Sequence, residues 1–394
     1  MLPLENIKIL DLSRLAAGNM VSHMFADFGA DVVKVEKPGK GDDLRNWKIN
    51  GISHWWAVYS RNKRSISIDL KKDEGLELLK ELVKSADVFI ENFVPGTLEK
   101  WGIGPEQLNE LNKNLIILRI SGWGQTGIFK NAPGFGSLVE GMSGFAAMTG
   151  EEKQAPLLPP LALADMVAGL TGFGAILMAI LASKKNNIEG QVIDLSLFEP
   201  FFSILGPWAA SYKISGKVPA RIGNRSNVAA PRGIYKTKDN KYVSLSASMQ
   251  SMWEKLALTI GSSDLIKDPR FLTNSDRLNN QDDLDKPISK FIKKYNREEV
   301  LNIFSKEGIT VGPVLDISEI IEHPYIHDRE VLIDHFNKEY GNVLMHQAFP
   351  RLSKTPGKIR NSAPALGDDT NVVLKEIGLS DKQIHMLRKN KIIN

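Results

Sequence analysis

The sequence has 394 residues, 42% of them hydrophobic and 24% charged, a composition typical of folded globular proteins that excludes disordered, collagen-like and coiled-coil chains. Fifty Lys and Arg against 46 Asp and Glu leave a formal charge of +4. This charge is spread along the chain, so nucleic acid is not expected as a partner. The absence of Cys excludes disulfides, a catalytic thiol and Cys-ligated metals, so any nucleophile must be an oxygen or a nitrogen.

The first third of the chain alternates short apolar runs with helical patterns, as parallel βαβ units do. Strands are predicted at residues 7–12, 32–36, 65–70, 87–92 and 115–121, and helices at 20–28, 75–84 and 98–111. Parallel sheets bind ligands at the carboxyl ends of their strands. The first site candidates are therefore the loops at residues 13–18, 36–41, 92–96 and 121–127.

A glycine-rich segment at residues 134–150 leads into an apolar helical stretch at residues 166–182. This stretch is shorter than the ~20 residues that a bilayer requires, so we expect a buried core helix and no membrane partner. A sixth strand is predicted at 191–196. Because the start of the chain has no basic region followed by an apolar one, no signal peptide is expected and the protein is placed in the cytoplasm.

The pattern changes near residue 225, which predicts a smaller α+β domain. A hairpin at residues 233–247 turns at 238–241, and an amphipathic helix follows at 284–294. Further strands are predicted at 331–336 and 343–349. A Pro-rich extended stretch at 350–364 and a helix beginning at Ser380 complete the chain.

Several kinds of site were considered and disfavoured. Glu36 ends the second strand, where a carboxylate can bind a ribose, but the preceding loop has only Gly18 where a dinucleotide site needs three glycines. His323 and His327 have the spacing of metal ligands on a helix, but Pro324 lies between them and no third ligand is near. No metal is therefore expected, and the absence of a GxSxG motif leaves a hydrolase triad unsupported.

Basic residues cluster after the second strand and around the third, where they can meet phosphates or form an ordinary solvated surface. They are Lys34, Lys37, Lys40, Arg45, Arg61, Lys63, Arg64, Lys71 and Lys72. Asp165 lies at the start of the apolar helix among small residues. The helix N-terminus is expected to keep its carboxylate ionised. Asp165 can thus be a nucleophile or an ordinary helix cap.

A set of motifs in order resembles the family III CoA-transferases, the group of formyl-CoA and carnitine CoA-transferases. The motifs are ILDLSRLAAG, FGADVVKVEKPGKGD, NKRSISIDLK, ENFVPG, PGFGSLVEGMSG, LPPLALAD and GQVIDLSLFE, followed by APRGIYKTKDNKYVSLSA. The resemblance covers nearly the whole chain. It implies an α/β fold with a Rossmann-like parallel-sheet large domain formed by both chain ends (residues 1–224 and 326–394), a smaller α+β domain (225–325), and an interlocked-ring homodimer.

The resemblance also implies site residues. The family nucleophile corresponds to Asp165. The CoA contacts correspond to Leu15, Ala16, Ala17, Lys37, Ile68, Lys71, Asn92, Phe93, Lys100 and Phe135. The implied partners are an acyl-CoA, a carboxylic acid and a second copy of the chain, with coenzyme A as part of the substrate and no prosthetic group.

Phe135 stands where the related α-methylacyl-CoA racemases carry a histidine, and phenylalanine cannot move a proton. The expected activity is therefore CoA transfer between carboxylic acids through an aspartyl anhydride and an aspartyl-CoA thioester. A racemase and a CoA-binding protein without turnover are the alternatives. Backbone amides of residues 134–144 are candidate oxyanion donors, and residues 244–248 are the only counterpart of the glycine loop of formyl-CoA transferases.

The motif PLLPPLALADMVAGL resembles that of family members acting on short dicarboxylates such as succinate or glutarate, which are therefore the expected substrates. Arg221 precedes the motif NRSNVAAPRG, which contains Arg225 and Arg232. An Arg can bind a second carboxylate through two hydrogen bonds. The same arginines can instead make interdomain or phosphate contacts. The sequence does not choose between these roles or identify the donor.

Overall fold

A six-stranded parallel sheet organises the first part of the protein, described here from a computed structural model that covers residues 1–394. Its strands are β1 Lys8–Asp11, β2 Asp31–Glu36, β3 Arg64–Ser67, β4 Val88–Glu91, β5 Ile116–Ser121 and β6 Val192–Ser196, in the order β3-β2-β1-β4-β5-β6. The predicted parallel βαβ series is confirmed. The strand order reverses between β1 and β4, where such sheets bind ligands.

Eighteen α-helices and two short 3₁₀-helices accompany the strands. The helices are α1 Leu15–Asp27, α2 His54–Tyr59, α3 Asp73–Val83, α4 Thr97–Lys100, α5 Pro105–Leu111, α6 Gly136–Met142, α7 Phe145–Met148, α8 Leu163–Asn186, α9 Phe198–Ser203, α10 Trp208–Ser215, α11 Gln250–Thr259, α12 Asn274–Asn279, α13 Gln281–Ile292, α14 Arg297–Lys306, α15 Ile317–Ile321, α16 Pro324–Asp328, α17 Thr370–Glu376 and α18 Asp381–Lys389. The 3₁₀-helices are Asp43–Asn46 and Ser263–Ile266.

The chain divides into two compact units. The first contains Met1–Gly144, Pro159–Gly206 and His327–Asn394, and the second contains Phe145–Leu158 and Pro207–Ile326. The expected small domain, residues 225–325, lies within the second unit. That unit also includes residues 207–224 and residues 145–158, the latter beginning within the glycine-rich segment.

The core of the first unit combines residues from both ends of the chain. Leu10, Val33 and Phe89 of the sheet belong to the same buried cluster as Leu374 and Ile393 from the carboxyl-terminal segment. A two-stranded antiparallel sheet, β10 Leu332–Asn337 and β11 Gly341–His346, also belongs to this unit.

Helix α8 packs on α1 through positions without side chains. A Cβ at Gly169 would lie 2.6 Å from the Met20 Cβ, so only glycine allows this approach. The helix is longer than the predicted stretch and only partly buried, and it exposes Leu170, Met178 and Leu181. The expectation of a buried core helix was thus only partly right. By length and composition alone α8 could cross a membrane, which is weak evidence because core helices pass the same test.

The second unit contains a three-stranded antiparallel sheet, β7 Arg232–Lys236, β8 Tyr242–Ser246 and β9 Val311–Pro313, in that order. The predicted hairpin and its turn are confirmed, with Asn240 in the left-handed conformation. Alternate residues of β7 and β8 are buried, and they pack with Trp253, Ile288 and Phe304 in a core of this unit.

Candidate functional site

The loops that follow β1 and β4 meet at the point where the strand order reverses. The Asn92 side chain accepts a hydrogen bond from the Arg14 backbone N–H at 2.8 Å and donates to the Arg14 carbonyl oxygen at 2.7 Å. The Arg14 guanidinium lies over the Phe93 ring, 5.6 Å from its centroid. Asn92 therefore ties the two loops together.

A cavity of about 490 Å³, here called the Asp165 cavity, opens beside these loops. Among the residues expected to form a site, its lining includes Leu15, Ala17, Asn92, Phe93, Phe135 and Asp165. The candidate loops after β1, β4 and β5 all contribute to this lining. Residues far apart in the sequence thus meet around one carboxyl group.

A second cavity of about 480 Å³, here called the Lys37 cavity, adjoins the first. Lys37, Lys71 and Ile68 line it, together with Lys40. Both cavities share Arg14, Asp43, Phe93 and Val94 in their linings, so they form one cleft across the carboxyl ends of the strands. One end of this cleft carries exposed lysine side chains, and the other carries Asp165.

Two of the expected contacts lie outside both linings. Ala16 is buried, with 2% of its surface exposed, and Lys100 is an exposed residue at the end of α4.

Most of the basic cluster is already paired with acidic groups or carbonyls. Lys34 and Lys63 are buried beside Asp11. The remaining contacts are Arg45 with Glu36, Arg61 with Asp27, Arg64 with Asp31 and Glu376, and Lys72 with the carbonyls of Asn390 and Lys391. Only Lys37, Lys40 and Lys71 of the cluster line the Lys37 cavity.

Asp165 is the third residue of α8 and is not its cap. The N-cap position is Ala162, which provides no side-chain hydrogen bond. Instead the Oε1 atom of Glu140, from α6, accepts the N–H of Ala164 at 3.1 Å. Glu140 is only 2% exposed. The capping role considered for Asp165 therefore belongs to Glu140, which the sequence analysis did not single out.

The pKa of Asp165 is raised to about 6, first by burial and then by the negative charge of Glu140. The sequence analysis expected the helix N-terminus to keep this carboxylate ionised, and burial outweighs that effect. The group is still ~90% ionised at pH 7, one unit above its pKa. A partly buried carboxylate with a raised pKa is typical of functional sites.

A glycine provides the space beside Asp165. A Cβ at Gly136, the first residue of α6, would lie 2.5 Å from the Asp165 Oδ2 atom. Phe135 precedes this glycine, lines the Asp165 cavity and is 62% exposed.

The arginines considered as carboxylate clamps differ in their contacts. Arg221 donates to the carbonyls of residues 147, 151, 152 and 154. Arg225 pairs with Asp282 and Asp285 at 2.7 and 2.8 Å. Both guanidinium groups thus stabilise the second unit, whereas Arg232 is exposed on β7.

Comparison with known proteins agrees with the site. Residues 4–370 match the profile of CoA-transferase family III. The chain belongs to this family. It is 35% identical to a succinyl-CoA–D-citramalate CoA-transferase of Chloroflexus aurantiacus, over 99% of this chain and 98% of that protein. It is 32% identical to the human succinyl-CoA:glutarate CoA-transferase, over 95% of this chain and 86% of that one.

A solved structure is also similar. A CaiB/BaiF family protein from Brucella suis matches with a TM-score of 0.84 and 32% identity, over 95% of this chain and 99% of that one. The α/β fold and family membership make this protein an enzyme of the CoA-transferase class. The alternative of a CoA-binding protein without turnover is therefore not retained.

Proposed function

We propose that this family III CoA-transferase moves CoA between two carboxylic acids, with Asp165 as the nucleophile. The observation that carries the proposal is the cleft itself, which places exposed lysines at one end and a partly buried carboxylate at the other. CoA has several phosphate groups at one end and its thiol at the other. Lys37 and Lys71 would bind the phosphates, and the thioester would lie at Asp165.

The chemistry proceeds through covalent intermediates on one carboxyl group. An Asp165 oxygen attacks the thioester carbonyl, the C–S bond breaks, and an acyl-aspartyl anhydride and CoA thiolate form. The thiolate attacks the Asp165 carbonyl, which releases the first carboxylate and leaves an aspartyl-CoA thioester. The acceptor carboxylate attacks the carbonyl of this thioester, which releases CoA thiolate and forms a second anhydride between the acceptor and Asp165. The thiolate then attacks the acceptor's carbonyl carbon, which gives the new acyl-CoA and regenerates the Asp165 carboxylate.

Each attack creates a tetrahedral oxyanion that needs hydrogen-bond donors, and loss of one donor typically costs ~10²- to 10³-fold in rate. The first turn of α6 begins beside the Asp165 carboxylate. Its backbone N–H groups are our candidates for this role, within the segment of residues 134–144 expected from the sequence.

The substrates are proposed from the relatives. The two named above use succinyl-CoA with citramalate or glutarate, which supports short dicarboxylates as donor and acceptor here. Arg221 is engaged by backbone carbonyls and Arg225 by two carboxylates, whereas Arg232 is exposed, so Arg232 is the remaining candidate clamp for a second carboxylate. Racemisation is disfavoured because Phe135 provides no proton-transfer group.

The nucleophile is tested with Asp165→Asn and Asp165→Ala. Both variants should bind CoA but not transfer it. Incubation of the parent enzyme with succinyl-CoA and hydroxylamine should give a hydroxamate on the peptide that contains Asp165, detected by mass spectrometry. Transfer by Asp165→Asn at close to the parental rate would contradict the covalent mechanism.

The substrate class is tested separately with a panel of acyl-CoA donors and short mono- and dicarboxylic acids, with CoA esters followed by mass spectrometry. We expect dicarboxylates to be preferred. Wash-in of deuterium at the α carbon without an acceptor would instead support a racemase.

We also propose that the enzyme is an interlocked homodimer. Large apolar side chains of the first unit are exposed on α8 and after α9, including Leu170, Met178 and Ile204. Exposed apolar surface of this kind can mark an interaction site, and a second copy of the chain would cover it.

A further inference from the structure

One residue in the wall of the cleft has an unusual backbone conformation. Leu15, the first residue of α1, has a φ of +61°. This left-handed region is unfavourable for a bulky L-residue, because its Cβ crowds the following carbonyl oxygen. Such a conformation persists only where the surroundings impose it, and it is frequently found at functional sites.

The buried carboxylate of Asp42 contacts this residue directly. Its Oδ1 atom accepts the Leu15 N–H at 2.9 Å and the Leu44 N–H at 2.8 Å. Its Oδ2 atom accepts the Asn19 side-chain amide at 2.7 Å. Asp42 is 2% exposed, and it joins the loop after β2 to the start of α1.

A buried ionic network in turn fixes Asp42. The Lys34 Nζ atom lies 3.0 Å from the Asp42 Oδ2 atom and 3.1 Å from the Asp11 Oδ1 atom. The Lys34 side chain also donates to the Ser13 carbonyl. Although burial alone would lower the pKa of Lys34, Asp11 and Asp42 raise it above its usual value, so the ammonium remains charged. These contacts thus fix the position and orientation of the Asp42 carboxylate.

The position of the segment at the start of α1 matters because this segment lies where the two cavities meet. Leu15 and Ala17 line the Asp165 cavity, whereas Arg14 lines both cavities. If Leu15 relaxed to an ordinary helical or extended conformation, the path of the chain at Arg14 would change. The cleft would then lose the shape that joins its two ends.

We propose that Asp42 is a positioning residue for CoA binding, which holds Leu15 in the left-handed conformation and so fixes the wall of the cleft. The inference rests on the proposed function, because the cleft must be the CoA site. Asp42 does not itself touch the reacting atoms. Its loss should therefore weaken binding of CoA esters more than it slows the chemical steps.

The first test is Asp42→Asn. The amide has one oxygen, and the positive charge of Lys34 will attract it, so the NH₂ group is left facing the Leu15 N–H. We expect KM for succinyl-CoA to rise about tenfold, with kcat changed by less than about threefold. Calorimetric titration with CoA should show the same loss of affinity. A change in kcat alone would overturn the proposal.

The second test addresses the backbone without touching the buried charges. Leu15→Gly and Leu15→Val both remove the leucine side chain, but only glycine adopts a positive φ without strain. Leu15→Val should raise KM about tenfold above that of Leu15→Gly. In the Leu15→Gly background, Asp42→Asn should raise KM by less than about threefold. Equal KM values for the two Leu15 variants would refute the role of the left-handed conformation.

A matched control separates positioning from general destabilisation. Asp27 is also a buried carboxylate of the first unit, but it pairs with Arg61 and Asn62 at the opposite end of α1. Asp27→Asn should lower the melting temperature without raising KM selectively over kcat. If Asp27→Asn raised KM as much as Asp42→Asn does, the proposal would be overturned. The parent and Asp165→Asn are measured in the same assay. Transfer that is absent from the parent, or retained by Asp165→Asn, would reject the proposed function, whereas the KM ratios decide the role of Asp42.

Discussion

Two carboxyl groups, Glu140 of α6 and Asp165, lie at the start of α8. Glu140 satisfies the Ala164 N–H, and its charge adds to the effect of burial in raising the pKa of Asp165. A carboxylate whose charge is destabilised in this way retains more of its basicity and nucleophilicity than an exposed one. The cost is that part of the population is protonated in mildly acidic solution.

The pH dependence of transfer follows from this arrangement. In the proposed mechanism Asp165 must be ionised to attack, and its pKa is about 6, so kcat/KM should fall as the pH decreases through about 6. Glu140→Gln keeps an oxygen for the Ala164 N–H but removes the charge. The acid limb of the profile should therefore move to lower pH. The control is Glu199→Gln, which changes a carboxyl group that binds Ser196; profiles of parent and Glu140→Gln that coincide would contradict the coupling.

The space beside Asp165 predicts a second effect. Gly136→Ala would place a methyl group 2.5 Å from the Asp165 Oδ2 atom, so the carboxylate must move. A displacement of ~1 Å can cost ~100-fold in rate, and we expect a loss of that order in kcat with little change in CoA affinity. Gly141→Ala is the matched control, because a Cβ on this residue of α6 meets nothing within 4 Å. Similar kcat values for the two variants would show that the contact is unimportant.

The sequence predicted Asp165 through a family motif, but not the role of the Glu140 carboxylate beside it. Glu140 lies in a glycine-rich stretch, and only the packing of α6 against α8 places its carboxylate at a helix end. Leu15 was among the expected CoA contacts, but its conformation and its bond to Asp42 were hidden for a related reason. A left-handed leucine has no signature in the sequence, and the hydrogen bond that holds it joins residues of different loops.

At the level of elements, the loops after β2 and β3 should determine recognition of the CoA phosphates. Lys37→Ala should weaken CoA binding about tenfold, as expected for loss of a hydrogen bond to a charged group, with a smaller effect on kcat. Lys84→Ala is the control, because this exposed side chain pairs with Glu81 and lies outside both cavities. Binding is measured by calorimetry with CoA and dephospho-CoA; equal affinity of the parent enzyme for both would contradict a site for the 3′-phosphate.

The strands were predictable because their apolar runs and the loops between them follow a simple pattern. The boundaries of the helices were less predictable. The predicted helix at 98–111 is divided into α4 and α5 because Gly102 has a φ of +68°. Helix α8 extends beyond its apolar stretch at both ends, because its first turn contains Asp165 and its last turn contains Lys184 and Lys185, which hydrophobicity alone does not mark as helical.

At the scale of the whole molecule, the exposed surface of α8 presents a problem of solubility. Leu170, Met178 and Leu181 are 44%, 67% and 52% exposed along one helix. An isolated chain would carry this apolar surface in water. The proposed association of two chains would remove it, and interlocking would make the fold of each chain depend on its partner.

Analytical ultracentrifugation tests this association from micromolar to low nanomolar concentration. We expect one species of twice 43.7 kDa throughout, because interlocked chains cannot separate without unfolding. Met178→Lys sharpens the test. A charge on an ordinary docking face releases folded monomers, whereas in interlocked chains it should lower thermal stability and leave the sedimentation coefficient of the soluble protein unchanged. A folded monomer at low concentration, in the parent or in the variant, would contradict interlocking.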